Sequence, residues 1–411
     1  MNIALYTLTS PLHDEAAVNA VSKDFISSIE KEAGYRLDFK GADFNDYGTH
    51  DLDIIYIRTG GTEGLFKEIF HKISDHVVLL TSGKSNSLAA SMEILSYLNQ
   101  KGRSGEILHG SAEYISSRIN TLAKVSSARR TLAGQNLGII GQPSDWLISS
   151  SADKEIINRE LGINLIDIDI EELISEIGTA QPAHVSKELA ASLIKAPEKV
   201  RGYAEGALAI HSALKSIIAR YGLSGLTLRC FDLLTSVRNT GCLSLALLNS
   251  EGIPAGCEGD VPALITMAVG QALTGQCGFQ ANPSRIDPMS GEILLAHCTV
   301  PFNMAGSFSL NTHFESGIGI AVHGELPAGE STIFKISGDL SRAFISRANL
   351  VSNQYEGDLC RTQIILRTEG SEEDRNRVCN YFLTDPIGNH HIVFTGDHKA
   401  LFEAYIKTIR G

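Results

Sequence analysis

The stretch GIPAGCEGDVPALITM (252–267) places two carboxylates, Glu258 and Asp260, between an apolar strand pattern and an apolar helix pattern. Buried charge is costly unless it is paired or holds a metal, so these acids are either exposed in a loop or employed in chemistry. Upstream, LTLRCFDLL (226–234) reads as a strand and CLSLALLNSEG (242–252) as a short helix ending at a glycine. CEGD then heads the next helix, which starts near Val261. The glycines bring the chain to a helix N-terminus at the edge of a sheet, where ligands of open α/β folds bind.

The same β–α alternation extends to the N-terminus. IALYTL (3–8), YRLDF (35–39), LDIIYI (52–57), VVLLT (77–81) and EILHG (106–110) are strand-like, with helical patterns over 14–33 and 87–98. A second cycle starts at NLGIIG (136–141) and continues through INLIDI (163–168), with helical patterns around 152–160 and 185–220. Such alternation predicts parallel sheets with helices on both faces. Beyond about residue 290 the texture changes to short β-type segments such as ILLAHCTVP, IGIAVHGEL, STIFKISGDL and HHIVFTGD, separated by glycines and polar turns, and a final helical pattern over 398–410. The predicted fold is two doubly wound parallel-sheet (Rossmann-like) α/β domains, 1–133 and 134–288, followed by a mostly antiparallel β-barrel-like domain, 289–411.

A chain of 411 residues exceeds one ordinary core, and its 43% hydrophobic and 20% charged content is that of a soluble protein. The formal net charge of -12, with no Lys/Arg-rich block, argues against nucleic acid as a partner. No signal-peptide pattern and no membrane-spanning run is read, so no membrane partner is expected. Seven cysteines without a CxxC pair are read as free thiols in a reducing cytoplasm.

Several motifs lead away from nucleotide and hydrolase chemistry. RTGGTEG (58–64) lacks the Walker lysine and the full G-x-G-x-x-G spacing and reads as a tight turn. No G-x-S-x-G elbow occurs. The sole tryptophan, Trp146, suits a sugar-stacking contact or plain packing. Arg229 suits a substrate hydroxyl or a structural ion pair. Downstream of Glu258 and Asp260 come Asn282, Asp287, His297, His313, His323 and the pair His390–His391. This mixture of carboxylate, imidazole and amide suits a hard or borderline divalent ion. Asp260 alone is equally explained as a helix cap.

Taken together, RCFDLL, GIPAGCEGDVPALITM, FQANPSRID, ILLAHCTVP and GNHHIVFTGDH resemble the L-fucose isomerase/L-arabinose isomerase superfamily, most closely its shorter fucose-isomerase-like branch. The resemblance is sharp over about 226–300 and 388–398, and architectural before that. It implies a cytoplasmic homo-oligomer (trimer or hexamer) and an aldose–ketose isomerase acting on a small sugar through a cis-enediol. The implied cofactor is Mn²⁺, with Mg²⁺ or Co²⁺ as alternatives. It assigns Glu258 as metal ligand and acid/base, His390 as the C-terminal ligand with His391 as the alternative register, and His297 as ligand or neighbour. His391 otherwise falls on the substrate side. The family's second carboxylate ligand is replaced by Asn282, so Asp260 or Asp287 is expected as second acid/base. A sugar binder without turnover, or another metal-dependent enzyme on a sugar derivative, are the rival readings.

Overall fold

The computed structural model describes residues 2–73 and 76–409. One compact unit comprises Met1–Arg130 with Glu403–Gly411, the other Thr131–Phe402. The first is built on five parallel strands, β1 (Ile3–Leu8), β2 (Asp38–Gly41), β3 (Leu52–Ile57), β4 (His76–Leu80) and β5 (Ser104–Leu108), in the order β2-β1-β3-β4-β5. Side chains alternate between two cores. Ile3 and Leu5 join Ile54 and Val78 on one face, and Ala4 and Tyr6 join Ile55 and Val77 on the other. Helices cover both faces, which is why these strands read as unbroken apolar runs.

The second unit opens with four parallel strands, β6 (Asn136–Ile140), β7 (Asn164–Ile168), β8 (Leu223–Leu228) and β9 (Ala255–Cys257), ordered β7-β6-β8-β9. The chain runs from β6 to one side and then returns to the other, so a topological switch point lies between β6 and β8. The segments leaving β6, β8 and β9 begin at Gly141, Arg229 and Glu258, all at the carboxyl edge of the sheet. A crevice at such an edge is where open α/β sheets bind ligands.

A closed antiparallel barrel follows. Its strands are β10 (Phe279–Asp287), β11 (Glu292–His297), β14 (Gly329–Ile336), β15 (Ala343–Gln354), β16 (Thr362–Thr368) and β17 (His391–Thr395), ordered β10-β11-β16-β15-β14-β17 with β17 pairing back onto β10. A separate hairpin pairs β12 (Ser307–Asn311) with β13 (Ala321–Glu325). The helix Val261–Thr274 packs against β8 and β9 as well as β14 and β17. That position explains its composition: all but a few residues at its C-terminal end are buried. Gly270 is required there, because a Cβ would lie 2.1 Å from the Phe394 ring.

One local expectation is corrected: the strand expected over 226–234 ends at Leu228, and Asp232–Ser236 is helical. FQANPSRID, for which no element was read from the sequence, is a barrel strand; Pro283 sits at a register shift against β11, one of the few places a sheet accepts proline. A helix over Glu372–Thr384, closed by a Ser371–Asp374 capping box, was not expected from its charged sequence.

Candidate metal centre

The turn between β9 and the helix Val261–Thr274 is made by two consecutive left-handed residues, Glu258 (φ 63°) and Gly259 (φ 69°). Left-handed backbone at a non-glycine residue costs about 1–3 kcal/mol and persists where the surroundings enforce it. Here the Glu258 carbonyl accepts from the Ser144 amide (2.9 Å) and the Gly259 amide donates to the Leu228 carbonyl (3.0 Å). A Cβ on Gly259 would stand 2.6 Å from the Gln142 carbonyl oxygen and 2.8 Å from the Pro143 Cα. Gly259→Ala is therefore expected to destabilise the protein by at least about 2 kcal/mol, measured by chemical denaturation, and to weaken metal binding in parallel.

Two imidazoles converge on the Glu258 carboxylate. His297 ends β11, His390 immediately precedes β17, and both of these strands flank β10. Glu258 Oε1 lies 3.8 Å from His297 Nε2 and 3.5 Å from His390 Nε2. The two rings are 5.4 Å apart at 73°. One ligand atom from each of the three residues lies within 4.8 Å of the others, and all three residues are buried.

The hydrogen bonding around the set suits a metal site. His390 Nδ1 donates to Asp260 Oδ2 (2.8 Å), which turns its Nε2 toward Glu258. That Nε2 is buried and has no hydrogen-bond partner. His297 Nδ1 meets the Thr299 hydroxyl at 3.1 Å. A carboxylate or hydroxyl on the far nitrogen is the usual way a ligating imidazole is oriented and made more basic. The residues present therefore fit a divalent cation: one carboxylate, two imidazoles, and an orphaned nitrogen aimed at the carboxylate.

Electrostatics agree. Burial pushes the Glu258 carboxyl up, but the His297 and His390 imidazoles outweigh it and hold the group well below the usual carboxylate range. Burial likewise lowers His390, yet the hydrogen bond to Asp260 and the nearby negative charge of Glu258 raise it to about 9. The metal-free protein thus carries a proton on His390 at neutral pH. A ligating imidazole must be neutral, so Mn²⁺ uptake below pH ~9 is expected to release about one proton. Apparent affinity then rises about tenfold per pH unit and levels off above that. Because this pKa is raised on folding, the stability it contributes is complete below pH ~6.5 and is lost as pH rises through about 9. Calorimetry in buffers of different ionisation heat measures the proton, and metal uptake with no proton release contradicts this account.

Glu258 and His297 line a cavity of about 360 Å³; its walls include Trp146, Phe231, Asn282 and Asn389. Trp146 Nε1 donates to Glu258 Oε2 at 2.6 Å, and its ring stands edge-on to Phe231, 4.7 Å away. Among the described lining residues there is no lysine or arginine, and Glu258 and Glu315 are the carboxylates.

No family model matches the chain. The chain is similar to sulfoquinovose isomerases. The protein of that name from Priestia aryabhattai is 23% identical over 280 residues, covering 63% of this chain and 60% of that protein. The one from Clostridium sp. (strain MSTE9) is 24% identical over 237 residues, covering 54% and 52%. This chain thus spans between half and two thirds of the length of the curated relatives it matches.

Of the residues singled out from sequence, Glu258, His297 and His390 are brought together, and Asn282 and Trp146 line the same cavity. Asn282 Oδ1 accepts from the Asn389 amide at 2.8 Å. Four expectations change. Asp260 is fully buried; its Oδ1 caps the helix at Ala263 (2.8 Å) and its Oδ2 holds His390, so it orients that imidazole and is absent from the cavity lining. Asp287 lies exposed in the β10–β11 turn, bonded to Ser290 and the Met289 amide, outside the cavity. Arg229 is tied to Asp232, Asp145 and the Pro143 carbonyl and is the structural ion pair. His391 alternates away from His390 along the strand. It is buried against Tyr381, Phe344 and Phe382, with Nε2 2.8 Å from the Tyr381 hydroxyl. Burial lowers its pKa to about 3.

The sequence reading missed Phe231, Glu315 and Lys335. Glu315 follows His313 and Phe314 in a turn marked by Gly317 and Gly319. That cluster of a histidine, an aromatic and an acid between strands was the available signal.

Proposed function

We propose that this protein is a divalent-metal-dependent isomerase interconverting an uncharged aldose and its ketose, of the L-fucose/L-arabinose type, through an enediol. The observation that carries this reading is the buried Glu258–His297–His390 set, with its unpartnered nitrogen, at the wall of a cavity large enough for a small ligand. The similarity to isomerases of a sugar supports it. A divalent cation held by these three residues, Mn²⁺ in this reading, supplies the positive charge that acidifies the carbon-bound proton and stabilises the enediolate.

The chain's own groups do the remaining work. Asp260 fixes the His390 tautomer, and the Trp146 indole N–H fixes one oxygen of Glu258. Asn282, Ser284 and Asn389 offer donors and acceptors for sugar hydroxyls, while Trp146, Phe231 and Phe314 form an apolar wall that limits water. The seven unpaired cysteines fit a reducing cytoplasm. No helix among the described residues is long and apolar enough to cross a membrane. Assembly as a homo-oligomer rests on the family resemblance alone.

A sulfonated aldose is the second reading, because the relatives are named for sulfoquinovose. The lining argues for the first. A sulfonate is recognised by cationic donors, whereas the charged side chains lining this cavity are carboxylates. The test is incubation of the Mn²⁺-loaded protein with a panel of neutral aldoses and with sulfoquinovose, read by NMR and mass. A ketose of unchanged mass from a neutral aldose is the expected result. Conversion of sulfoquinovose alone selects the second reading, and no conversion of any sugar contradicts both.

A further inference from the structure

Moving a proton from C2 to C1 needs a carrier that reaches the substrate and changes protonation near the working pH. The groups around the metal set are poorly placed for it. Glu258 has one oxygen on Trp146 and the other between two imidazoles. Asp260 is sealed behind His390. Asn282 stands where the family resemblance leads one to expect a carboxylate, and an amide exchanges no proton in this range. His313 is buried, bonded through Nδ1 to Ser316 (3.1 Å), and lowered by burial to about 4. The thiols of Cys242, Cys257 and Cys298 are fully buried and raised well above their ordinary value.

Glu315 differs in each respect. It sits in the turn joining β12 to β13, is exposed, and lines the same cavity as Glu258 and His297. Its carboxylate makes no hydrogen bond or ion pair among the described residues, so it is free to turn toward a ligand. Partial burial, and then the negative charge of Glu258, raise its pKa above the usual carboxylate value. The turn is held by the Gly317 amide donating to the His313 carbonyl (2.8 Å) and the His313 amide to the Ile318 carbonyl (3.1 Å). Gly319 is packed so closely on Thr240 that a Cβ would lie 2.4 Å from its hydroxyl. The acid is therefore carried on a fixed turn.

We infer that Glu315 is the proton-transferring carboxylate of this pocket, in the place of the second acid that Asn282 lacks. The assignment rests on the isomerase reading above. Glu315 takes the proton from C2 of the open-chain aldose. The C2–H electron pair becomes the C1–C2 double bond, and the carbonyl pair moves onto O1. The protonated Glu315 returns the proton to C1 while the O2 proton passes to O1, giving the ketose with no oxidant consumed.

The test follows C2 deuterium exchange in D₂O for wild type, Glu315→Gln and Glu315→Asp, each loaded with Mn²⁺, beside a Mn²⁺ titration of each protein. Glu315→Gln is expected to lose roughly 10²–10⁴-fold in exchange, with its Mn²⁺ affinity within about threefold of wild type and with partial recovery in Glu315→Asp. Exchange within about threefold of wild type in Glu315→Gln overturns the assignment and leaves the isomerase reading standing. A wild type that neither exchanges nor isomerises any sugar overturns both. Loss of Mn²⁺ binding in Glu315→Gln overturns the assignment in favour of a role at the metal.

Discussion

Glu258→Gln is expected to remove metal binding and turnover together while leaving the fold in place. Glutamine keeps the shape of the side chain, and its amide oxygen still accepts from the Trp146 indole that now meets Glu258 Oε2 at 2.6 Å. What disappears is the single negative charge between His297 and His390. Loss of an outer partner alone costs roughly 10–100-fold in metal affinity, so loss of the carboxylate ligand should cost at least about 100-fold. Thermal unfolding reads this directly. Mn²⁺ at ~100 times its dissociation constant stabilises the wild type by about 2.7 kcal/mol, and the same concentration should leave the melting of Glu258→Gln nearly unmoved. An upshift equal to that of the wild type would show that the cation binds elsewhere.

Asp260→Ala should damage the protein more broadly, because one buried carboxylate does three jobs. It caps the helix Val261–Thr274, holds His390 Nδ1, and lies 3.6 Å from the Lys335 ammonium. Lys335 is itself buried, and its Nζ has no hydrogen-bond partner. Burial lowers its pKa and Asp260 opposes that. Breaking such a buried pair costs roughly 3–5 kcal/mol, to which a lost cap adds about 1 kcal/mol. Urea unfolding should show a loss of at least about 3 kcal/mol. Asp260→Asn keeps the cap and the shape, so it separates the effects. Paired with Lys335→Met it should regain most of the lost stability, since no unpaired cation remains, yet stay about 10–100-fold weaker for Mn²⁺ because His390 has lost its anionic partner. If Asp260→Asn binds Mn²⁺ as the wild type does, Asp260 is only a structural acid.

These two acids show how far the sequence could be read. Glu258 was legible because a carboxylate in an apolar, glycine-rich turn has few uses other than a metal or a ligand. Asp260 was legible as either a helix cap or a second acid/base; the structure shows the cap, and its other oxygen holds His390, a role the sequence reading did not contain. The choice between His390 and His391 could not be made from order in the chain. It is decided by strand alternation, which sends His390 toward Glu258 and His391 into the aromatic cluster of Tyr381, Phe344 and Phe382.

The parallel sheets were legible because strands covered on both faces read as apolar runs. The barrel-like C-terminal domain was legible from its short glycine-separated β segments, but which strands close it was not. The closure depends on β17 pairing with β10 from more than a hundred residues away, through Phe279↔Val393 and Ala281↔His391. Asp287 was one of two acids expected to replace the carboxylate missing at Asn282, but the four intervening residues carry it along β10 to the far turn. Glu315 was hidden for the opposite reason. Turn residues carry no periodicity, and only the tertiary fold brings this one to the cavity.

The central claim is that Glu258, His297 and His390 together hold one divalent cation. It is tested most directly by diffraction from crystals grown in Mn²⁺, with data collected at the manganese edge. The account predicts one dominant anomalous peak per chain, bounded by Glu258 Oε1, His297 Nε2 and His390 Nε2, which is absent in Glu258→Gln. A dominant peak elsewhere in the chain, or none there at millimolar Mn²⁺, would contradict it.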